Sequence, residues 1–516
     1  MGPALPRPRT VPTLSSRPAG AAERLRDGPT NDKTPMTTCD LLHPSGPRSP
    51  AALRGLASAL LATGLAALGV RSAAAQQPVD MTKLQDEAVS RIEQYIQINT
   101  TNPPGNEDQT MKFFARIFTA EGIPFDTASS APGRGNVWAR LKGGSKPALL
   151  LLSHMDVVPA DPQYWSVDPF AATVKDGYLW GRGTLDTKTL GIVELEAFLA
   201  LHRAKVPLDR DVIFMATADE EAGAAYGAGW VVEHHPEAFQ GAGFVINEGG
   251  GGDVNQGRQS FGIEVTQKVP YWFKLTSNGT PRHGSTPPVA SAVNRLIRAL
   301  YRLQTYEFAP RIIPAVDTYF KGLSPTAAPE WKDAFTDMGA TVKDRDKLLR
   351  LQAQFPELAA LTRNTCSITV LEGSPKINVI PPEAEAQLDC RLLPDQDVAE
   401  FKRELRDALN DPGITIDQLL GFTPAVSSTD NLLYKTIVRV TKAHYPDAAI
   451  VPAVSTGFTD SHFFRDRGVS AYGYSPFLIP EADESGVHGN NERISIENVR
   501  TGTQMMYEIV RSMVGN

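Results

Sequence analysis

ALLLLSHMDVVP, residues Ala148–Pro159, carries four consecutive leucines into a histidine and an aspartate placed two positions apart. An apolar run of this length, with no polar alternation, reads as a strand buried on both faces. His154 and Asp156 then stand at its carboxyl end. In open α/β sheets that end is where ligand crevices form, and a neutral imidazole oriented by a nearby carboxylate is a common way of holding a zinc ion. A satisfied histidine closing a capped strand accounts for H-x-D equally well, so the rest of the chain decides between the two.

The pattern recurs. WGRGTLDTK leads through Asp186 into a helix expected over Leu190–His202, DVIFMATADEE is an apolar run ending on Asp219, Glu220 and Glu221, and GFVINEGGGG ends a third such run on Glu248 and a glycine turn. Upstream, Leu84, Ala88, Ile92, Tyr95 and Ile96 recur at helical spacing within Met81–Ile98, and a second helix is expected over Gln109–Ala120, beyond the proline-glycine loop TTNPPGNE. Strands followed by helices, with polar residues at each strand's carboxyl end, argue for a doubly wound α/β catalytic domain.

After about residue 265 the order changes. Strands at Tyr271–Ser277, Cys366–Leu371, Glu385–Leu393 and Thr415–Leu419, with helices at Ser291–Leu303 and Val398–Leu409, give βαββαβ, the ferredoxin-like supersecondary unit. Residues 305–360, rich in proline and charge, read as an insertion in it. From about 425, with a helix at Leu432–His444, α/β character returns. The expected organisation is a leader over 1–75, a catalytic domain over 76–265 and 425–516, and an inserted domain over 266–424.

The leader has two parts. Residues 1–35 hold seven prolines and no apolar periodicity, which makes Met36 a plausible start. Arg48 and Arg54 then precede the apolar run Gly55–Val70, and Ser72-Ala73-Ala74-Ala75-Gln76 offers an A-x-A cleavage site after Ala75; together these describe a secretory signal peptide and a periplasmic or secreted protein. The alternative, an uncleaved anchor, is weakened because the run is shorter than the roughly 20 residues that span a bilayer. Residues 1–75 contain nine Lys/Arg and four Asp/Glu of the chain's 51 and 58, so the mature protein carries a net charge of −12. An acidic protein without basic clusters is a poor nucleic-acid binder. The mature chain keeps Cys366 and Cys390, both in expected strands, and the sequence leaves their pairing open.

His154, Asp186, the pair Glu220-Glu221 and Glu248 arrive about thirty residues apart, one group per strand-helix unit, and His488 follows in GVHGNNE. A histidine and several carboxylates suit zinc, or cobalt and manganese less selectively, and there are enough for two metals with one carboxylate bridging. At these residues, SHMDVVP, GRGTLDTK, ADEE, NEGG and VHGNNE resemble the five metal-site motifs of the zinc metallopeptidases that include acetylornithine deacetylase, succinyl-diaminopimelate desuccinylase, aminoacylase and carboxypeptidase S. The resemblance spans about residues 80–510. It implies two zinc ions per subunit, with His154 and Glu248 on one metal, Asp186 bridging, and Glu221 and His488 on the other. Asp156 would orient His154, and Glu220 would be the general base.

The inserted domain resembles the family's lid and dimerisation domain. RHGSTPP implies that His283 reaches the partner's active site in a homodimer; PKINVIPP and LDCRLLP imply Asn378 and Arg391 for a substrate carboxylate. The segment RNTCSITVLEGSPKINVIPP and the long insert before it look closest to the carboxypeptidase S branch, whose relatives include N-acyl amino acid hydrolases. In TGFTDSHFF, Phe458 stands where the family usually has a second glycine, beside the expected substrate contact Gly457. The leader and the resemblance together therefore lead to the expectation of an exported metallohydrolase cleaving the amide of N-acyl amino acids or short peptides with a free carboxylate. The competing expectations are an aminopeptidase or dipeptidase of the same fold, and a metal-binding protein without turnover.

Overall fold

The computed structural model describes residues 78–255 and 257–515, so the expected signal peptide and its cleavage site lie outside the described residues. The Ala148 stretch forms the strand Lys146–His154, buried from Ala148 to its end. Leu149 and Leu151 enter one apolar core, while Ala148, Leu150 and Leu152 enter another on the opposite face. Alternate side chains of one strand thus feed two cores, which is why the run shows no polar alternation.

This strand lies between its two expected parallel neighbours, Arg210–Thr217 and Ala242–Asn247. The sheet has ten strands and is mixed. Beyond Arg210–Thr217 it continues through the antiparallel strands Gly135–Leu141 and Phe125–Ser129. On the other side it continues through Ser470–Gly473, Arg258–Gln267, Gly251–Asn255 and Leu478–Pro480, with Ala449–Ser455 parallel to Arg258–Gln267. The helix Lys188–Arg203, buried almost throughout, packs with Met81–Ile96, Leu432–His444 and Ile496–Met513 on one face. Leu84, Ala88, Ile92, Tyr95 and Ile96 are all buried, as their spacing predicts.

A separate antiparallel sheet runs in the order Thr365–Glu372, Glu383–Leu392, Val269–Asn278, Ile414–Gly421. Its core, including Phe273, Leu275, Leu296, Leu388, Phe401 and Leu405, is shared with the helices Ala292–Thr305 and Val398–Leu409, completing the βαββαβ order. Cys366 and Cys390 are directly opposite across two of its strands and form a disulfide, settling the pairing that the sequence left open.

The 305–360 insertion forms five short helices from Pro314–Leu323 to Pro356–Ala360. Its core of Phe320, Trp331, Phe335, Met338 and Leu351 includes Val454 of the large sheet. Inserted in the sequence of the small sheet, it packs on the large one. At the crossing between sheets, buried Lys268 donates to the Ala360 and Arg363 carbonyls, each at 2.8 Å, and to Thr365 Oγ1 at 3.0 Å.

Candidate metal centre

The carboxyl ends of the parallel strands bring the predicted residues together. His154 is buried at its strand end, and its Nδ1 lies 2.9 Å from the Asp156 carbonyl oxygen. A carbonyl can only accept, so Nδ1 carries a proton and Nε2 points the other way. There it meets Asp186 Oδ1 at 3.0 Å and Glu248 Oε1 at 3.4 Å. Two carboxylate oxygens thus converge on Nε2, and a proton on that nitrogen or a metal ion between the three atoms would satisfy them. The second carboxylate oxygen of Asp186 lies 2.9 Å from His488 Nε2, which is 3.1 Å from Glu221 Oε2. Two triads, His154-Asp186-Glu248 and Asp186-Glu221-His488, therefore share Asp186 through its two different oxygens. The donor set of nitrogen and carboxylate oxygen fits zinc.

The protonation of this cluster shows the same demand. Burial disfavours a charged His154, yet Glu248, Asp156 and Asp186 outweigh it and hold the imidazole well above its ordinary value. Hydrogen bonds to Asp186 and Glu221 raise His488 to about 10, and burial pushes Glu248 up to about 7. Glu220 is buried beside Glu221, and burial together with the charges of Glu248, Asp460 and Glu221 holds its carboxyl well above the usual range.

Asp156 orients His154 through its main-chain oxygen; its carboxylate stands 3.5 Å from Nδ1 and serves mainly another purpose. Its two oxygens accept from the backbone N–H groups of Glu220 and Glu221, each at 3.1 Å, and from Asn102 Nδ2 at 2.8 Å. One carboxylate thus fixes the turn that presents the expected base and a ligand. Behind that turn Asp219, at φ 69°, accepts from Asn102 Nδ2 at 3.0 Å, Arg134 Nη2 at 2.8 Å and the Tyr226 N–H at 2.9 Å. Arg134 also bonds Glu107 Oε1 at 2.8 Å.

The Asp186 loop is held comparably. Fully buried Glu492 accepts from Arg182 Nη1 at 2.6 Å and from the N–H groups of Gly183 (2.9 Å), Leu185 (2.6 Å) and Asp186 (3.1 Å). Arg182 Nη2 in turn donates to the Gly489 carbonyl at 2.6 Å, beside His488. Sequence reasoning assigned nothing to Asn102, Arg134, Asp219 or Glu492. Glu492 closes the quoted VHGNNE and Asp219 opens the acidic triplet, so two of the four lay within the motifs. Asp460 was missed as well; it lies buried and accepts from Thr217 Oγ1 at 3.1 Å, and burial raises it to about 8.

The remaining predicted residues do not join the cluster within the chain. His283 and Asn378 meet on a two-stranded ribbon, Arg282–His283 against Val379–Ile380, where the Gly284 N–H donates to the Asn378 carbonyl at 2.8 Å. Both are exposed, and His283 Nδ1 lies 2.8 Å from Ser285 Oγ. Arg391 is held by Asp389 through Nε at 2.7 Å and Nη2 at 3.1 Å. Gly457 is exposed, with its N–H on Ser455 Oγ at 3.1 Å. Its neighbour Phe458 packs edge-on against Phe422, 5.7 Å between ring centroids, which gives the side chain found in place of glycine a partner.

A mixed α/β sheet with paired carboxylate-histidine triads at its strand ends, and a ferredoxin-like domain inserted beside them, defines a metallohydrolase. The chain belongs to Peptidase family M20/M25/M40, whose sequence profile matches residues 150–512, and it is an enzyme of the metallopeptidase and amidohydrolase class. It is 31% identical to the N-fatty-acyl-amino acid synthase/hydrolase PM20D1 of Xenopus tropicalis over 427 residues, 80% of this chain and 81% of that one. It is 26% identical to Aminoacylase-1B of Rattus norvegicus, covering 79% and 90%. Among solved structures it resembles the M20 family metallo-carboxypeptidase Sso-CP2 from Sulfolobus solfataricus, with a TM-score of 0.64 at 22% identity over 83% of this chain and 99% of that one, a likeness of fold. No helix among the described residues is long and apolar enough to cross a membrane.

Proposed function

We propose that the protein is an exported di-zinc hydrolase that cleaves the amide bond of N-acyl amino acids or short peptides bearing a free carboxylate. The observation that carries this reading is Asp186, whose two oxygens face two histidines in two separate triads. His154 and Glu248 would hold one ion, Glu221 and His488 the other, and Asp186 both; cobalt or manganese would suit the same donors. When bound, the metals would supply polarisation of the substrate carbonyl and acidification of a water molecule. The rest falls to the chain. Glu221 turns Oε2 to His488, whereas the Glu220 side chain is uncommitted and buried, with its carboxyl held by that burial well above the ordinary carboxylate range. Glu220 is therefore the group to take a proton from the attacking water and return it to the leaving nitrogen. Arg391 has Nε and Nη2 engaged by Asp389, leaving Nη1 for a substrate carboxylate, with Asn378 beside it in function.

His283 would act across a homodimer. It sits on an exposed ribbon, and Val289 and Ile377, which follow and precede its two segments in the sequence, are completely exposed, as expected of a surface that a second copy covers. The similarity to aminoacylase and to an N-fatty-acyl-amino acid hydrolase supports the substrate class, and the disulfide suits an oxidising compartment. An exported protein should begin at or near Gln76 when its amino terminus is sequenced. The purified chain, loaded with zinc or cobalt and offered N-acyl amino acids and dipeptides, should release free amino acid and lose activity on chelation. Hydrolysis that survives complete metal removal would refute the proposal.

A further inference from the structure

Beside the acidic cluster lies a cavity of about 290 Å³. Its floor is Gly249–Gly251, the three residues that follow Glu248, and its rim includes Ser455 and Thr456, which precede Gly457. Chain continuity therefore places it one residue from a metal triad and one from the expected substrate loop. That volume is at the small end of ligand pockets, roughly 300–1,000 Å³, suited to one long side chain rather than a whole substrate.

Part of the lining comes from the insertion and the residue that follows it. Leu323, Leu358 and Leu361 give it an aliphatic face, and Tyr319 and Glu357 flank that face. Asp253 lines the same cavity, its carboxylate accepting from Ser260 Oγ at 2.9 and 3.0 Å. Among the described residues, no lysine, arginine or histidine lines the cavity. Both carboxylates act on one place: Tyr319 is raised to about 12 by burial and then by the charges of Asp253 and Glu357. Burial also raises Asp253, a strain that a bound cation would relieve.

An aliphatic wall ending in unbalanced negative charge is complementary to a side chain with an apolar stem and a cationic head. A purely aliphatic chain would fill the same space but leave Asp253 desolvated without a counter-charge. We propose that this cavity is a subsite for a lysine or arginine side chain of the substrate, its stem against Leu323, Leu358 and Leu361 and its head at Asp253 and Glu357. The proposal rests on reading the chain as an amide hydrolase and adds the class of side chain that it selects.

The test is steady-state kcat/KM of the zinc-loaded protein for matched pairs: N-acetyl-lysine against N-acetyl-norleucine, and Lys-Ala against norleucine-Ala. Lysine should be favoured about tenfold or more in one of the pairs, the size expected of a hydrogen bond to a charged group. Asp253→Asn and, separately, Leu358→Arg, which places a cation at the wall, should bring that ratio close to one. Should Asp253→Asn fail to fold, Glu357→Gln at the exposed rim reads the same ratio and should lower it. Equal turnover within both pairs, or a lysine preference that survives these substitutions, would overturn the subsite and leave the hydrolase reading standing. No turnover of any of the four compounds would overturn the hydrolase reading and the subsite with it.

Discussion

Glu492→Gln tests how the shared ligand is held. The native carboxylate accepts four donors, one from Arg182 and three from the backbone of the Asp186 loop, at 2.6–3.1 Å with no solvent exposure. An amide offers one oxygen. If that oxygen faces the Leu185 and Asp186 N–H groups, its NH₂ is turned on Arg182 and the Gly183 N–H, donor against donor. Arg182, itself only 2% exposed, is left with the carbonyls of Gly486 and Gly489 and no counter-charge. Breaking a buried ion pair by removing one partner costs about 3–5 kcal/mol. Local opening of this loop should therefore become more frequent by roughly 10² to 10³-fold or more. The reverse variant is milder. Arg182→Met leaves Glu492 with its three backbone donors, so the loop keeps its shape. Amide hydrogen exchange across 183–186 and 486–489, with elemental analysis after gel filtration, measures both effects. Glu492→Gln should speed exchange in both segments and lower metal content, and Arg182→Met should do each less. Native exchange and full metal content in Glu492→Gln would refute the reasoning.

Glu220→Gln should keep fold and metal content while cutting turnover about 10²–10⁴-fold, and near-parental turnover would remove Glu220 as the base. Chelated protein should lose thermal stability as pH rises from about 5 to above 8. Glu248 and Asp460 have folded values raised to about 7 and 8, so the stability tied to their protonated forms is present below the ordinary carboxylate range and lost as pH passes those values. His488, raised to about 10, extends the loss in the same direction, and zinc should abolish this slope; parallel curves with and without zinc would contradict the assignment. Mixing inactive Glu220→Gln and His283→Ala chains should restore activity through mixed dimers with one intact site, and no recovery after proven subunit exchange would count against a shared site.

The readable parts of the fold were those whose physics is periodic. Val398–Leu409 was placed to the residue because its apolar positions repeat at helical spacing, and the alternating Glu383–Leu392 strand emerged with alternating burial. The strands Phe125–Ser129 and Gly135–Leu141 were not anticipated; the first is mostly exposed, the second buried over five residues in succession, and neither alternates. The insertion was visible as a composition change, but its docking against Val454 was not, since periodicity identifies an apolar face without naming its partner. The same limit divides the site. Ligands at strand ends show in sequence as acids and histidines after apolar runs, whereas Asp156 and Glu492 act mainly by accepting backbone N–H groups, and a backbone donor has no letter.

Charge explains why so much of the structure is spent on those backbone bonds. Asp156, Asp186, Glu220, Glu221, Glu248 and Asp460 crowd around two histidines; burial and mutual repulsion raise the last four, while against their own burial Asp156 and Asp186 are held low by the histidines. Left to repulsion, the Asp219–Glu221 turn and the Asp186 loop would spread apart. Asp156 takes two N–H groups of the first and Glu492 three of the second, so the loops are pinned by their main chains, independently of the charge on the side chains they present. The ligand oxygens and nitrogens can then remain within a few ångströms of one another at the expense of raised pKa values rather than lost geometry. Divalent cations placed among them relieve the repulsion without requiring the loops to move, and the same fixed turn keeps Glu220 beside the ligands yet free of them, where a general base has to be.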